Sequence, residues 1–252
     1  MQSIHPSYQQ LLNNIPKIKK YFDIEYFVLP DEEFKLVRFS KNISIDSPTL
    51  IIMAGCHGEE PAPSLAIFKN YKLISEVVKK ERVNLIIYPL VNPYGFDRNR
   101  RLNRNGLNCN SNWIHKEDKR IANEVKIISK DIKKFKPLIF ANIHEDDETK
   151  KEFYIFSFGD RKYENPLIKV GGTYFPILKD GEYGDIKVKG GVVYNHCDGS
   201  AEDFMFHRGC EFSCCTETPS FQSLSKRINC NTDLILKLIE LSKITNGFVA
   251  KE

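Results

Sequence analysis

The sequence predicts one α/β domain, in which a mixed, mostly parallel β-sheet carries helices on both faces. Short, continuous apolar segments, typical of strands buried on both faces, alternate with segments whose apolar residues recur at helical spacing. The 252 residues suffice for one large domain with a substantial core. No repeat, low-complexity tract or Pro/Ser-rich linker suggests a boundary, so we treat residues 1–252 as a single catalytic domain.

The predicted elements follow one another in regular order. Strands are predicted at the apolar segments 34–39, 49–54, 83–90, 138–143 and 211–215. Helices are predicted where apolar residues share one face, at 7–22, 67–78, 121–132 and 234–241. Pro16 should kink or shorten the first helix, and Asn246-Gly247 should end the last one. This alternation predicts a layered α/β fold.

Composition narrows the functional class. Hydrophobic residues make up 41% and charged residues 28%, which excludes a disordered chain. The 37 basic and 33 acidic residues give a formal charge of +4, too small to indicate nucleic acid as a main partner. We find no apolar segment that indicates a signal peptide or a membrane anchor. With seven cysteines, an odd number, we expect reduced, mostly buried thiols in a cytoplasmic protein.

Candidate metal ligands follow two of the predicted strands. His57 and Glu60 come directly after 49–54, and His144 comes directly after 138–143. Ligand sites in such sheets form outside the carboxyl ends of strands. Two histidines and one glutamate leave a coordination position open, as in catalytic zinc sites. The alternative for the H-x-x-E pattern is a polar loop with helix-capping acids, and a solvated loop is favoured for the acids at 146–148.

Two further candidates lie near these ligands in the expected fold. Glu217 follows the strand 211–215 and could accept a proton, although an acid at a helix N-terminus is the alternative. The segment 98–104 contains four arginines. Taken alone, it indicates a solvated basic loop or a phosphate-binding patch. Beside a metal, one fixed guanidinium could stabilise a developing oxyanion.

The order of these motifs resembles the zinc carboxypeptidase superfamily. It runs from H-x-x-E at His57, through N-P-x-G-F at 92–96 and R-x-N-x-x-G at 101–106, to the strand-end His144 and the segment Glu217-Thr218-Pro219. The similarity spans about 49–220 and includes both the compact bacterial murein-peptide carboxypeptidases and the succinylglutamate desuccinylase/aspartoacylase branch.

The resemblance implies a role for each matching residue. His57, Glu60 and His144 would bind one Zn²⁺ per chain, and Glu217 would act as general base and then as general acid. Arg101 matches the arginine that stabilises the oxyanion, with Arg100 and Arg104 left open as neighbours. Asn110 matches the asparagine that helps to hold a substrate's terminal carboxylate.

Two positions depart from the family pattern. Ser111 stands where an arginine binds the substrate carboxylate, and a serine supplies no positive charge. Asn108 stands where an aspartate orients the first zinc histidine, although an amide oxygen can also accept the histidine N–H. In the segment that resembles the specificity pocket, Tyr194 lies one residue from the position of a mobile tyrosine. Glu202 lies near the position that contacts the substrate side chain, with a helix N-terminal acid as the alternative.

These observations together predict a zinc-dependent hydrolase that cleaves an amide bond, foremost a carboxypeptidase acting on small or cell-wall-type peptides. The alternative with the same metal site is a deacylase of N-acyl amino acids similar to succinylglutamate desuccinylase and aspartoacylase. A third hypothesis, of another class, is a non-catalytic descendant that binds a ligand. We expect a small peptide or acylated amino acid as the partner, and neither nucleic acid nor a membrane.

Overall fold

A computed structural model describes residues 5–30, 34–114, 120–183, 186–194 and 196–243. These residues form one ten-stranded sheet in the order β1-β2-β4-β3-β5-β10-β6-β9-β8-β7, flanked by helices. The strands are β1 Asp23–Val28, β2 Lys35–Lys41, β3 Thr49–Ala54, β4 Asn84–Tyr88, β5 Ile139–Asp146, β6 Tyr154–Gly159, β7 Gly181–Tyr183, β8 Ile186–Lys189, β9 Val192–Tyr194 and β10 Phe212–Pro219. The helices are α1 Tyr8–Leu12, α2 Ile15–Ile18, α3 Pro61–Glu81, α4 Pro93–Arg98, α5 Asn123–Ile132, α6 Glu164–Tyr174, α7 Ala201–His207 and α8 Leu224–Lys243, with a 3₁₀ turn at Arg161–Tyr163.

The predicted mixed sheet is confirmed, and its parallel part is the centre. The neighbours β4, β3, β5 and β10 run parallel, as do β6 and β9. The outer pairs and the pair of β10 and β6 are antiparallel, so antiparallel pairings outnumber parallel ones by five to four among the described strands. The central strands are buried over nearly their whole length, whereas β1 at the edge is largely exposed. That contrast is why the long apolar segments in the sequence indicated parallel strands.

Helices cover both faces of the sheet, as predicted. Successive side chains of a strand point to opposite faces. On β5, Asn142 hydrogen-bonds Glu202 of α7, whereas Glu145, three positions further, pairs with Arg227 of α8. The odd spacing places α7 and α8 on opposite faces. Helices α3 and α6 both pack against α8, so the long helices lie together on one face.

The boundaries of several elements differ from the prediction. The helix predicted at 7–22 is two short helices, α1 and α2, and Pro16 lies in the first turn of α2, where its missing N–H costs nothing. The predicted strands 138–143 and 211–215 both extend further, so His144 and Glu217 lie within β5 and β10 rather than after them. The predicted helix end at Asn246-Gly247 lies outside the described residues.

The cysteines are free and mostly buried, as the sequence predicts. Six of the seven cysteines are buried, all seven are free, and Cys197 is exposed. Within the described part of the chain, no helix is both long enough and apolar enough to span a bilayer.

Candidate active site

Three side chains meet at the carboxyl edge of the central strands. His57 and Glu60 lie in the turn between β3 and α3, and His144 lies near the end of the neighbouring strand β5. One ligand atom from each lies within 4.8 Å of the others, and all three residues are at most 4% exposed. The two Glu60 oxygens contact His57 Nδ1 at 2.6 Å and His144 Nδ1 at 2.8 Å. The carboxylate therefore lies between two imidazole nitrogens.

The contacts on the far side of His57 fix the orientation of its ring. His57 Nε2 lies 2.9 Å from Asn108 Oδ1, which also accepts the backbone N–H of Asn110 at 2.7 Å. Because an amide oxygen carries no hydrogen and can only accept, Nε2 must donate to it, which leaves Nδ1 as the ligand atom. The amide of Asn108 thus takes the place of the aspartate that the resemblance led us to expect, and it holds the histidine in one tautomer.

The donor set fits a zinc ion. Burial alone would lower the pKa of His57, but the Glu60 carboxylate outweighs burial and raises it above its ordinary value. Burial likewise opposes ionisation of Glu60, yet the two histidines hold its pKa far below the usual range. A buried carboxylate that stays ionised between two imidazoles favours the binding of a cation between these three groups. Two nitrogens and one oxygen in a compact, buried set match the ligands of catalytic zinc sites.

Close backbone packing explains why glycines recur beside these ligands. A Cβ on Gly58 would come within 1.9 Å of the backbone of Gly95, so the turn that carries His57 and Glu60 packs directly on α4. Gly58 N–H also donates to Arg100 O. Asn92 caps α4 by accepting from Gly95 N–H at 2.8 Å, and it donates to Arg101 O at 3.0 Å. The N-P-x-G-F motif therefore connects the metal-ligand turn to the arginine segment.

Glu217 lies beside His144 in the parallel pair of β10 and β5. It lines the same cavity as the three candidate ligands. Burial, followed by the nearby charges of Glu60 and Asp146, raises the pKa of Glu217 well above its ordinary value. The Cys215 thiol donates to Glu217 Oε1 at 3.4 Å, from the same face of β10. This partly buried carboxyl group holds protons more firmly than an exposed glutamate, as a general acid–base catalyst requires.

Arg101 is the arginine that the structure brings to the ligands. Its guanidinium lies 3.5 Å from both Glu59 Oε1 and Glu60 Oε1, and its side chain is 53% exposed toward the cavity. Arg98 instead stacks on the ring of Tyr94 at 4.1 Å. Among the residues that the structure describes, Arg101 is the only arginine or lysine lining this cavity, so neither Arg98 nor Arg104 replaces the missing cation at Ser111.

The cavity holds about 450 Å³ and is strongly acidic. Asn110 and Ser111 line it, as do the rings of Tyr154, Phe156 and His196. His196 Nε2 lies 3.4 Å from Asp198 Oδ2, and the rings of His196 and Phe156 lie 5.2 Å apart. Eight carboxylate residues contribute to the walls: Glu59, Glu60, Glu145, Asp146, Asp147, Glu148, Asp198 and Glu217.

Two predicted substrate-binding residues, Glu202 and Tyr194, do not line this cavity. Glu202 is 4% exposed and does not line the cavity, because its carboxylate points into the protein and accepts from Asn142 Nδ2 at 3.1 Å. Tyr194 is on β9, and its hydroxyl donates to Glu164 at 3.0 Å. It lines a separate cavity with Arg161, whose guanidinium lies 4.5 Å from the tyrosine ring. Asn110, the third predicted substrate-binding residue, does line the cavity.

Sequence reasoning missed a buried ion pair behind the metal ligands. Glu145 follows His144 and pairs with Arg227, while its other oxygen accepts from Ala62 N–H at 2.8 Å. Burial raises the pKa of Glu145 to about 7, although Arg227 acts in the opposite direction. Glu145 N–H donates to Glu60 at 3.1 Å. The acid could be found in the sequence beside His144, but no sequence signal assigned it a partner 82 positions away.

The comparisons with known proteins agree with this site. The sequence model of the succinylglutamate desuccinylase/aspartoacylase catalytic domain matches residues 46–148. A metallopeptidase structure from Shewanella baltica has a TM-score of 0.80 at 27% identity, covering 93% of this chain and 91% of that chain. One from Shewanella denitrificans has a TM-score of 0.80 at 28% identity, with 92% and 87% covered. No curated protein matches the sequence.

A more distant similarity concerns the fold. A metallo-carboxypeptidase from Pseudomonas aeruginosa, solved with (2-guanidinoethylmercapto)succinic acid, has a TM-score of 0.70 at 16% identity, covering 92% of this chain and 68% of that chain. These matches show that the chain has a metallopeptidase-like fold, and His57, Glu60 and His144 form a candidate metal site within it. The chain is similar in both sequence and fold to proteins of the zinc carboxypeptidase-like superfamily.

Proposed function

We propose that this protein is a zinc-dependent amide hydrolase that acts foremost as a carboxypeptidase on small or cell-wall-type peptides. One observation carries the proposal: His57, Glu60, His144, Glu217 and Arg101 line a single cavity, with the Nδ1 atoms of both histidines directed at Glu60. The similarity to metallopeptidase structures at 27% and 28% identity supports the peptidase assignment.

Each side chain of the site has a separate role in the proposed hydrolysis. A zinc ion held by His57, Glu60 and His144 would polarise the substrate carbonyl and make a water molecule more acidic. Glu217 accepts a proton from the attacking water and then delivers it to the leaving amine. Arg101 donates hydrogen bonds to the carbonyl oxygen as negative charge develops on it. The conformation of each group is set by the contacts described above.

A second candidate, deacylation of N-acyl amino acids, is favoured by a separate observation. The sequence model of the succinylglutamate desuccinylase/aspartoacylase catalytic domain matches the segment that contains all three candidate ligands. The serine at position 111 also leaves the cavity without the cation that would bind a peptide's terminal carboxylate.

The test combines metal analysis with a matched substrate panel. Zinc per chain is measured in the wild type, His57→Ala and His144→Ala, and amine release is measured with free peptides, the same peptides amidated at the C-terminus, and N-acyl amino acids. About one zinc per wild-type chain, its loss in both variants and zinc-dependent release of the C-terminal residue support the carboxypeptidase. Hydrolysis of N-acyl amino acids alone supports the deacylase. Bound zinc without cleavage of any substrate would contradict amide hydrolysis.

A further inference from the structure

A buried hydrogen-bond network lies behind the wall of the active-site cavity. Asn142 Nδ2 donates to Asn110 Oδ1 at 2.9 Å and to Glu202 Oε2 at 3.1 Å. Asn142 Oδ1 accepts from the Cys56 thiol at 3.7 Å. The two protons and the oxygen of the Asn142 amide are therefore all directed at specific partners.

Only one member of this network reaches the cavity. Asn142 is fully buried and Glu202 is 4% exposed, and neither lines the cavity, whereas Asn110 does. Asn110 Oδ1 accepts from Asn142 and also from Ala201 N–H at 3.2 Å. The oxygen and nitrogen of an amide point in different directions. Because the Asn110 oxygen is held in the wall, its Nδ2 group and the protons it donates face the cavity.

Glu202 and the backbone N–H of Ala201 together determine which way the network points. Ala201 N–H holds Asn110 Oδ1 as an acceptor, and if Asn142 were rotated by 180°, its own oxygen would face that oxygen and the Glu202 carboxylate. A buried polar group without a partner costs about 1–3 kcal/mol. Glu202 is itself held in place, because it lies in the first turn of α7 and its backbone carbonyl accepts from Ser213 Oγ at 2.7 Å.

We propose that Glu202 and Asn142 are positioning residues that act through Asn110, so that the cavity presents an N–H donor beside Ser111. The ligand group that this donor fits is an oxygen acceptor, either a carboxylate or a carbonyl. The proposal replaces the expected contact between Glu202 and a substrate side chain. Its kinetic readout rests on the proposed amide hydrolysis, whereas its spectroscopic readout does not.

The test compares two substitutions of one residue. Glu202→Gln keeps an oxygen that can accept from Asn142, whereas Glu202→Leu has a similar size but no acceptor. We expect kcat/KM to stay within about two-fold in Glu202→Gln and to fall about ten-fold in Glu202→Leu, with zinc content unchanged. The kcat/KM of Asn110→Ala should fall about as far. That of the double variant Glu202→Leu/Asn110→Ala should fall no further than that of Asn110→Ala alone.

A matched control and a second measurement complete the design. Glu164→Leu removes another buried carboxylate that accepts two hydrogen bonds away from this cavity, and it should change kcat/KM less than about two-fold. In the zinc-free protein, the side-chain amide protons of Asn110 and Asn142 should shift in NMR spectra of Glu202→Leu but hardly at all in Glu202→Gln.

Two results would overturn the proposal: equal losses in Glu202→Gln and Glu202→Leu, or losses that add to that of Asn110→Ala. Either would mean that Glu202 acts by its charge or independently of Asn110. A wild-type protein that cleaves no amide would overturn the proposed function instead, and the NMR comparison would still decide whether Glu202 orients the two amides.

Discussion

Asn108 contacts His57 on the side opposite its ligand atom, so its replacement tests how the site holds a metal. In Asn108→Ala, His57 Nε2 loses an acceptor at 2.9 Å and the backbone N–H of Asn110 loses one at 2.7 Å. His57 is only 4% exposed, so little solvent is available to replace the lost contact. The ring is then free to take the other tautomer, which places a proton on Nδ1 and removes it as a ligand.

The size of the effect follows from this geometry. Removing a group that orients a metal-binding histidine weakens metal affinity about 10–100-fold, equivalent to about 1.4–2.7 kcal/mol. Asn108→Asp keeps both acceptor contacts and adds a negative charge. Charge-assisted hydrogen bonds are roughly twice as strong as neutral ones, so we expect zinc affinity at or above the wild-type value in this variant.

The assay is competition for zinc with a chelating indicator at one fixed pH, because the ligands bind the metal only when deprotonated. Thermal unfolding of the zinc-free variants serves as the control for folding. The reasoning is refuted if Asn108→Ala binds zinc as tightly as the wild type, or if Asn108→Asp binds it as weakly as Asn108→Ala.

Three further predictions address catalysis and stability. Glu217→Gln should retain zinc but lower kcat by about 10²–10⁴-fold, as measured by amine release, because no group remains to accept the proton. Arg227→Met leaves Glu145 buried without its partner and should lower the free energy of unfolding by about 3–5 kcal/mol in urea titrations, whereas Arg227→Met combined with Glu145→Gln should recover part of that loss. Burial would raise the pKa of Asp131, but the hydrogen bonds from Lys134, Arg38 and Tyr88 outweigh it and hold the pKa below its ordinary value of 3.8. The resulting stabilisation is present above that value and is lost as the pH falls through the lowered pKa, so zinc-free Asp131→Asn should lose less stability than the wild type as the pH falls below about 4.

The sequence predicted the centre of the fold better than its edges. Strands β3, β4, β5 and β10 are buried over nearly their whole length, and β3, β4 and the first part of β5 therefore produce largely apolar segments that are visible without an alignment. Strands β7 to β9 have only three or four residues each, and their pairing depends on neighbours far along the chain. Such strands have no periodicity long enough to detect.

The candidate site likewise contains contacts between residues close in the sequence, which could be predicted, and contacts that only the fold creates, which could not. His57 and Glu60 share one turn, so their spacing in the sequence translates directly into proximity in space. The position of Tyr194 in the sequence predicts a substrate contact, but in the structure its hydroxyl donates to Glu164 instead. The role of Glu202 depended on the direction of its side chain, which the buried amide of Asn142 determines, and no local pattern encodes that contact.

The distribution of charge links metal binding to the acid–base group. Glu60 and Glu217 face the same cavity, and burial together with the charge of Glu60 raises the pKa of Glu217. Arg101 is the nearby guanidinium, 3.5 Å from Glu60, but its half-exposed side chain is screened by solvent. A divalent cation held by the histidines and Glu60 would offset the charge of Glu60 and lower the pKa of Glu217. Glu217, as the proposed general base, would then be ready to accept a proton only with the metal bound, and its role would depend on the ligand set of His57, Glu60 and His144.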